Sequence, residues 1–216
     1  MDKYLVYIAS FLCLTTCLFS CDEVEEVSRY ADWQPRNQAF VDSIHALAAK
    51  DGNLVLQGSD KTEKGVQVED IADNVMFALE TTASTTEAKQ YVYCKKIKTQ
   101  NSGKRPNLTD VVSAYYYGTN ILGDSFDGNF KGYSSTDRGM LDKDDTDKAP
   151  TAFDSPAEFG VNAVIAGWTT ALQYMHEGER WMLYVPYQSA YGTSDQSDDI
   201  PAYSALTFDV QLDAIK

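Results

Sequence analysis

The chain has 216 residues, of which 44% are hydrophobic and 23% charged. That is length for one domain with a small appendage, and a composition that excludes disorder over most of the chain. Its 32 acidic against 18 basic residues leave a formal net charge of −14, which repels phosphate backbones and anionic lipid and excludes nucleic acid as a partner.

Met1-Asp2-Lys3 precede an apolar run from Tyr4 to Phe19. The run is shorter than the roughly 20 residues of a membrane span and fits a signal-peptide core. It closes on Leu18-Phe19-Ser20-Cys21, which resembles a bacterial lipobox, in which the Cys becomes the lipidated first residue of the mature chain. The expectation is a signal peptide over 1–20, lipidation of Cys21 and an acidic tether over 21–32. The carboxylates of Asp22, Glu23, Glu25 and Glu26 are either a solvated tether or a segment resembling the export signals of Bacteroidetes surface lipoproteins. Cys13 and Cys17 leave with the signal, so Cys94 is alone in the folded part. No intrachain disulfide or cysteine zinc site follows, and Cys94 reads as a small buried hydrophobe.

Phe40, Val41, Ile44, Leu47 and Ala48 share one helical face, and Asp51-Gly52-Asn53 ends that helix. His45 lies on it without a second His or Cys nearby. Residues 51–90 read as a linker with local structure, carrying two apolar islands, Leu54–Leu56 and Val75–Leu79, and ending in the polar run Thr81–Thr86. Tyr91–Ile97 and Val111–Tyr117 read as strands, separated by a turn at Asn101-Ser102-Gly103. Gly128–Ala157 reads as a long exposed loop. Its run Asp142-Lys143-Asp144-Asp145-Thr146-Asp147 lacks the Gly and Glu of a calcium-binding EF-hand loop, so a solvated acidic loop is the better reading. Val164, Ile165, Trp168, Ala171, Leu172 and Met175 share a helical face that Gly178 closes. Arg180–Pro186 is a strand. The last segment alternates, with Leu206, Phe208, Val210 and Leu212 on a buried face and Thr207, Asp209 and Gln211 on a wet one. The fold class is α+β: a curved antiparallel sheet wrapped on one short helix, with an N-terminal helical extension. The domain division is 33–89 for the N-terminal helix and linker and 90–216 for the main domain.

His45 and His176 lie far apart in sequence, and neither accompanies a nucleophile motif. There is no phosphate-cradling Gly loop and no dinucleotide fingerprint. What remains is a series of aromatic and glycine motifs: Tyr116-Tyr117-Gly118, then Phe126-Asp127 ten residues after Tyr116; Val164-Ile165-Ala166-Gly167-Trp168; Gly178-Glu179-Arg180; Ala190-Tyr191-Gly192; Ile200-Pro201; and Leu206-Thr207-Phe208-Asp209-Val210. Together they resemble the FKBP-type peptidyl-prolyl isomerases over about residues 90–216. Trp168 to Tyr191 is 23 residues and Tyr191 to Ile200 is nine, as in compact members. The lipobox and the Trp33-Gln34-x-Arg36-Asn37 leader resemble the family's lipoprotein branch in Bacteroidetes.

The resemblance implies a proline pocket. Trp168 would be its floor, and Tyr116, Phe126, Val164, Ile165 and Phe208 its apolar walls. Tyr191 would donate to a peptide carbonyl, Asp127 would stand beside the twisting amide, Ile200 would close the rim, and the Ile165 amide would hold the ligand. Three departures stand out. An aromatic wall position falls on Ala157. The basic partner of Asp127 has no clear match, with Lys131 and Arg138 as candidates. The rim near Ile200 is polar, with Gln196, Asp198 and Asp199. The implied activity is non-covalent isomerisation of X–Pro bonds in extracytoplasmic, proline-containing polypeptides, as a folding helper, without cofactor or metal. The lipid on Cys21 would hold the protein to the outer membrane, on its periplasmic face or at the cell surface. Two other readings stay open: a non-catalytic binding module on the cell envelope, and an accessory lipoprotein dimerising through the N-terminal helix.

Overall fold

A computed structural model describes residues 27–100 and 102–216. The expected signal peptide, Cys21 and residues 21–26 of the tether lie outside the described residues. Residues 27–31 contain a turn in which Ala31 N–H donates to Ser28 O at 2.8 Å. Residues 32–216 form one compact unit.

Helix α1 spans Trp33–Lys50. Pro35 sits in its first turn, where a missing N–H costs nothing, and Lys50 complements the dipole in its last. Trp33, Asn37, Phe40, Ile44 and Ala48 make its buried stripe, a spacing that keeps them on one face. Two polar bonds fix its start against the chain ahead of the last strand. Trp33 Nε1 donates to Ser204 Oγ at 2.9 Å, and Asn37 Oδ1 accepts from Ala205 N–H at 2.7 Å. The Trp33…Asn37 leader therefore docks the helix. Phe40, Ile44 and Ala48 are packed on the chain's own sheet.

The strands are β1 Leu54–Val55, β2 Met76–Glu80, β3 Tyr91–Lys98, β4 Val111–Thr119, β5 Ser125–Gly128, β6 Ala157–Gly160, β7 Arg180–Val185 and β8 Leu206–Ile215. They form one sheet in the order β1-β2-β3-β7-β8-β4-β5, and β6 also pairs with β4. All pairs are antiparallel except β1 with β2. The stretch 51–90, expected as a linker with local structure, supplies β1 and β2. Its side chains Val55, Val68, Ile71, Phe77 and Leu79 are in the main core.

Both faces of the sheet are covered. On one, helix α2, Ala166–Leu172, packs Trp168, Ala171 and Leu172 against Cys94, Leu183, Leu206 and Val210. On the other, α1 joins Tyr133 and Leu141 over Met76, Tyr93, Met182 and Tyr184. Burying each such large apolar side chain contributes about 1.5–3 kcal/mol. Two expectations are corrected by this second layer. Thr207 and Asp209, placed on a wet face, are 0% exposed. The 128–157 segment is not wholly exposed, because Phe130, Tyr133, Ser135 and Leu141 are buried. This segment is an insertion between β5 and β6, which both pair with the same edge of β4, at Tyr117–Thr119 and Val111–Ala114. The expected 164–175 helix is shorter, since Val164 and Ile165 are extended and lead into α2.

Candidate functional site: an aromatic cavity above helix α2

A cavity of about 290 Å³ opens where β4, β5, β6 and the α2 entry converge. Trp168 lies at its centre. Tyr116, Phe159 and Phe208 present edges or faces to the indole at centroid distances of 5.7, 5.6 and 5.3 Å. Perpendicular contact suits the ring quadrupoles and makes a stiff, dry floor and walls. Phe126 packs edge-on against Phe208 at 5.5 Å and so backs the wall. Val164 and Ile165, half-buried, line the cavity beside Ala163.

Two glycines make this packing possible. A Cβ on Gly167 would stand 2.6 Å from Val185 Cγ1, so only Gly lets α2 settle this close to β7. A Cβ on Gly118 would stand 2.7 Å from Phe126 Cζ and 3.0 Å from Phe208 Cε1. The Tyr-x-Gly and Gly-Trp motifs thus each place an aromatic and clear the space it needs.

The polar groups sit at the edge. Asp127 lines the cavity and its Oδ1 accepts from Gly128 N–H at 2.8 Å. Tyr116 lines the cavity beside the same carboxylate; burial first, and interaction with Asp127 second, push its phenol up to about 12. Tyr191, 43% exposed, also lines the cavity, and burial followed by the charge of Asp127 raises its phenol as well. Both phenols are therefore neutral donors across the physiological range.

The sequence-derived set divides clearly. Tyr116, Asp127, Val164, Ile165, Trp168, Tyr191 and Phe208 converge on the cavity. Phe126 is one layer behind. Ile200 is 8% exposed and belongs to the main core, so it backs the rim and does not line the cavity. Ala157 is not a lining residue, but Phe159, two positions on, is. The sequence reading did not assign Phe159, and its signal was the aromatic of the Phe159-x-Val161 strand. Neither Lys131 nor Arg138 forms an ion pair with Asp127 among the described residues. The Arg138 guanidinium instead lies over the Phe40 ring at 5.2 Å.

The cavity's lining residues include no nucleophile paired with a base. What it offers is an apolar slot for a small ring, donors for a carbonyl, and one carboxylate.

A family model described as FKBP-type peptidyl-prolyl cis-trans isomerase matches residues 103–213. The chain is 41% identical over 118 residues to a macrophage infectivity potentiator of Trypanosoma cruzi, covering 54% of this chain and 50% of that one. It is 35% identical over 133 residues to the FKBP-type peptidyl-prolyl cis-trans isomerase FkpA of Aeromonas hydrophila, 62% of this chain and 40% of the other. To the outer membrane protein MIP of Legionella longbeachae it is 34% identical over 121 residues, 56% and 43% of the two chains. The chain thus spans half or less of the length of these relatives. Among solved structures, FkpA from Escherichia coli has a TM-score of 0.50 at 21% identity, covering 100% of this chain and 83% of the other. A peptidyl-prolyl cis-trans isomerase from Pseudomonas syringae has a TM-score of 0.50 at 19% identity, covering 88% and 98%. At these identities the two structures share the fold.

Proposed function

The chain belongs to the FKBP-type peptidyl-prolyl cis-trans isomerase family, and from that premise we propose that its aromatic cavity isomerises X–Pro bonds. The observation that carries the reading is Trp168, held edge-to-face by three aromatic rings inside the matched region.

An X–Pro bond interconverts in tens to hundreds of seconds. The barrier, about 18–20 kcal/mol, is amide resonance. Rotation breaks no covalent bond, so it asks for no nucleophile, metal or nucleotide. The proline ring lies on Trp168 between Tyr116, Phe159 and Phe208. The amide leaves water, where its charge-separated planar form is best solvated, and that form loses part of its advantage. Tyr191 and the Ile165 N–H donate to peptide carbonyls, and Asp127 faces the twisting amide. Each interaction counts towards rate only as far as it is stronger at the twisted geometry than at either planar one.

The test is a prolyl-isomerase assay on the chain without its signal segment, beside Trp168→Ala and Tyr191→Phe. Acceleration by the parent and its loss in Trp168→Ala is the expected result. No acceleration by the parent ends the enzyme reading, and full activity in both variants ends the site assignment.

The same proposal extends to the cell envelope. The Leu18-Phe19-Ser20-Cys21 lipobox supports a lipid anchor on Cys21, and a relative named as an outer membrane protein supports the outer membrane as its place. The lipobox and the Trp33…Asn37 leader support a lipoprotein branch resembling those of Bacteroidetes. Its substrates there are proline-containing polypeptides outside the cytoplasm. Fatty-acid labelling should disappear in Cys21→Ala, and labelling that persists contradicts the anchor.

A further inference from the structure

Every lining residue of the cavity falls in one of three stretches, 106–130, 149–179 and 181–215. None of these contains a Lys or an Arg, and all 18 basic residues lie outside them. The side chains that wall the pocket therefore come from segments stripped of positive charge.

Negative charge lies in the lining and on the loop that follows Tyr191. Asp127 is in the lining. The turn before β5 and the loop after Tyr191 meet at buried Asn120, whose Nδ2 lies 3.4 Å from both Asp124 Oδ2 and Asp199 O. One of these segments leads to Asp127 and the other starts from Tyr191. The second loop carries Asp195, Asp198 and Asp199, all exposed. It is closed on itself, with Tyr203 N–H donating to Gly192 O at 3.1 Å and Ala202 N–H to Asp195 Oδ1 at 2.7 Å. Among the described residues, none of Asp127, Asp195, Asp198 and Asp199 forms an ion pair. Inside the cavity Trp168 is 4% exposed, and its Nε1 has no hydrogen-bond partner.

An apolar mouth rimmed by one sign of charge focuses the field on whatever enters. A basic side chain next to the proline finds the carboxylates of Asp127 and of the loop after Tyr191, whereas an acidic one is repelled by them. We propose that this site selects X–Pro segments bearing a Lys or Arg within a few residues of the proline over neutral and acidic segments. The inference rests on the isomerase reading of the cavity and names its substrate class.

Three peptides of equal length, containing Ala-Lys-Pro, Ala-Ala-Pro and Ala-Glu-Pro, test it. Isomerisation of each is followed by NMR exchange with the parent chain and with the triple variant Asp195→Asn, Asp198→Asn, Asp199→Asn. The expected order of kcat/KM is Lys above Ala above Glu, by about threefold or more per step at low salt. The spread should narrow in about 0.5 M NaCl, where charges more than a few ångströms apart are screened. It should narrow likewise in the triple variant, with the Ala-Ala-Pro rate unchanged. Equal rates for all three peptides overturn the selection and leave the isomerase reading intact. A spread that survives in the triple variant overturns the assignment to these carboxylates. No turnover of any peptide overturns the isomerase reading itself.

Discussion

Arg180 and Asp209 meet between β7 and β8 on the sheet face opposite α2, Nε 2.8 Å from Oδ1 and Nη2 2.5 Å from Oδ2. Their side chains are 3% and 0% exposed. The guanidinium lies against the rings of Phe130 and Tyr133, at 5.3 and 5.1 Å, and also donates to Lys148 O. Tyr133 N–H donates to Asp209 Oδ2 at 2.9 Å. One ion pair therefore fastens the insertion between β5 and β6 to the centre of the sheet. The residue next to Asp209 is Phe208, a wall of the cavity on the other face.

Removing one charge of this pair strands the other without water. Asp209→Asn should cost about 3–5 kcal/mol of unfolding free energy. Urea denaturation monitored by circular dichroism measures it, and a loss under about 1 kcal/mol would contradict a buried, mutually dependent pair.

The helix α1 contact makes a smaller claim. Asn37→Ala removes the acceptor of the buried Ala205 N–H, an unmet group that costs about 1–3 kcal/mol. Stability should fall by that amount while prolyl-isomerase activity per folded molecule stays near the parent's. Unchanged stability would mean that α1 does not depend on this bond for docking.

Tyr116 gives a pH signature. Its folded phenol is raised to about 12 from an ordinary value near 10. The neutral form is favoured in the fold, so its contribution to stability is complete below about pH 10 and is lost as pH rises towards 12. A phenolate absorbance titration of Tyr116→Phe should lack one high-pH step that the parent shows. A lost step near pH 10 instead would place Tyr116 in water, away from Asp127.

Much of this was legible in the chain, for identifiable reasons. β3, β4, β7 and β8 announce themselves through aromatic and β-branched runs. The motifs around Gly118, Trp168, Tyr191 and Phe208 carry the cavity because each brings an aromatic into a position that the backbone fixes. β2 was missed because Met76–Leu79 is buried on both faces, and a continuous apolar run has no period to read. β1 has two residues, too few for any pattern. Asp209 and Thr207 looked wet because alternation separates two faces without saying what covers each. Here α1 and the insertion cover the second one. Phe130, Tyr133 and Leu141 were hidden among Asp, Ser and Gly at irregular spacing, so their burial has no one-dimensional signal. Phe159 is the single aromatic of a four-residue strand.

Gly118→Ala probes the packing below the cavity. Its new methyl would press on Phe126 and Phe208, and overpacking of this kind costs about 1–3 kcal/mol. The expected outcome is a folded but less stable protein with a raised KM for a prolyl peptide, as the Phe208 wall shifts inward. Parent-like stability and KM together would show that the wall yields without strain.

The most direct test watches the cavity floor while the reaction runs. Trp33 Nε1 is bonded to Ser204 and Trp181 Nε1 to Glu179, whereas Trp168 Nε1 has no partner. In a ¹⁵N-labelled chain titrated with a prolyl peptide, the Trp168 indole resonance should move saturably while those of Trp33 and Trp181 hold still. In the same sample, exchange between the cis and trans forms of the peptide should quicken. Accelerated exchange with a Trp168 resonance that does not respond, or a saturable Trp168 shift with no acceleration, would contradict the account.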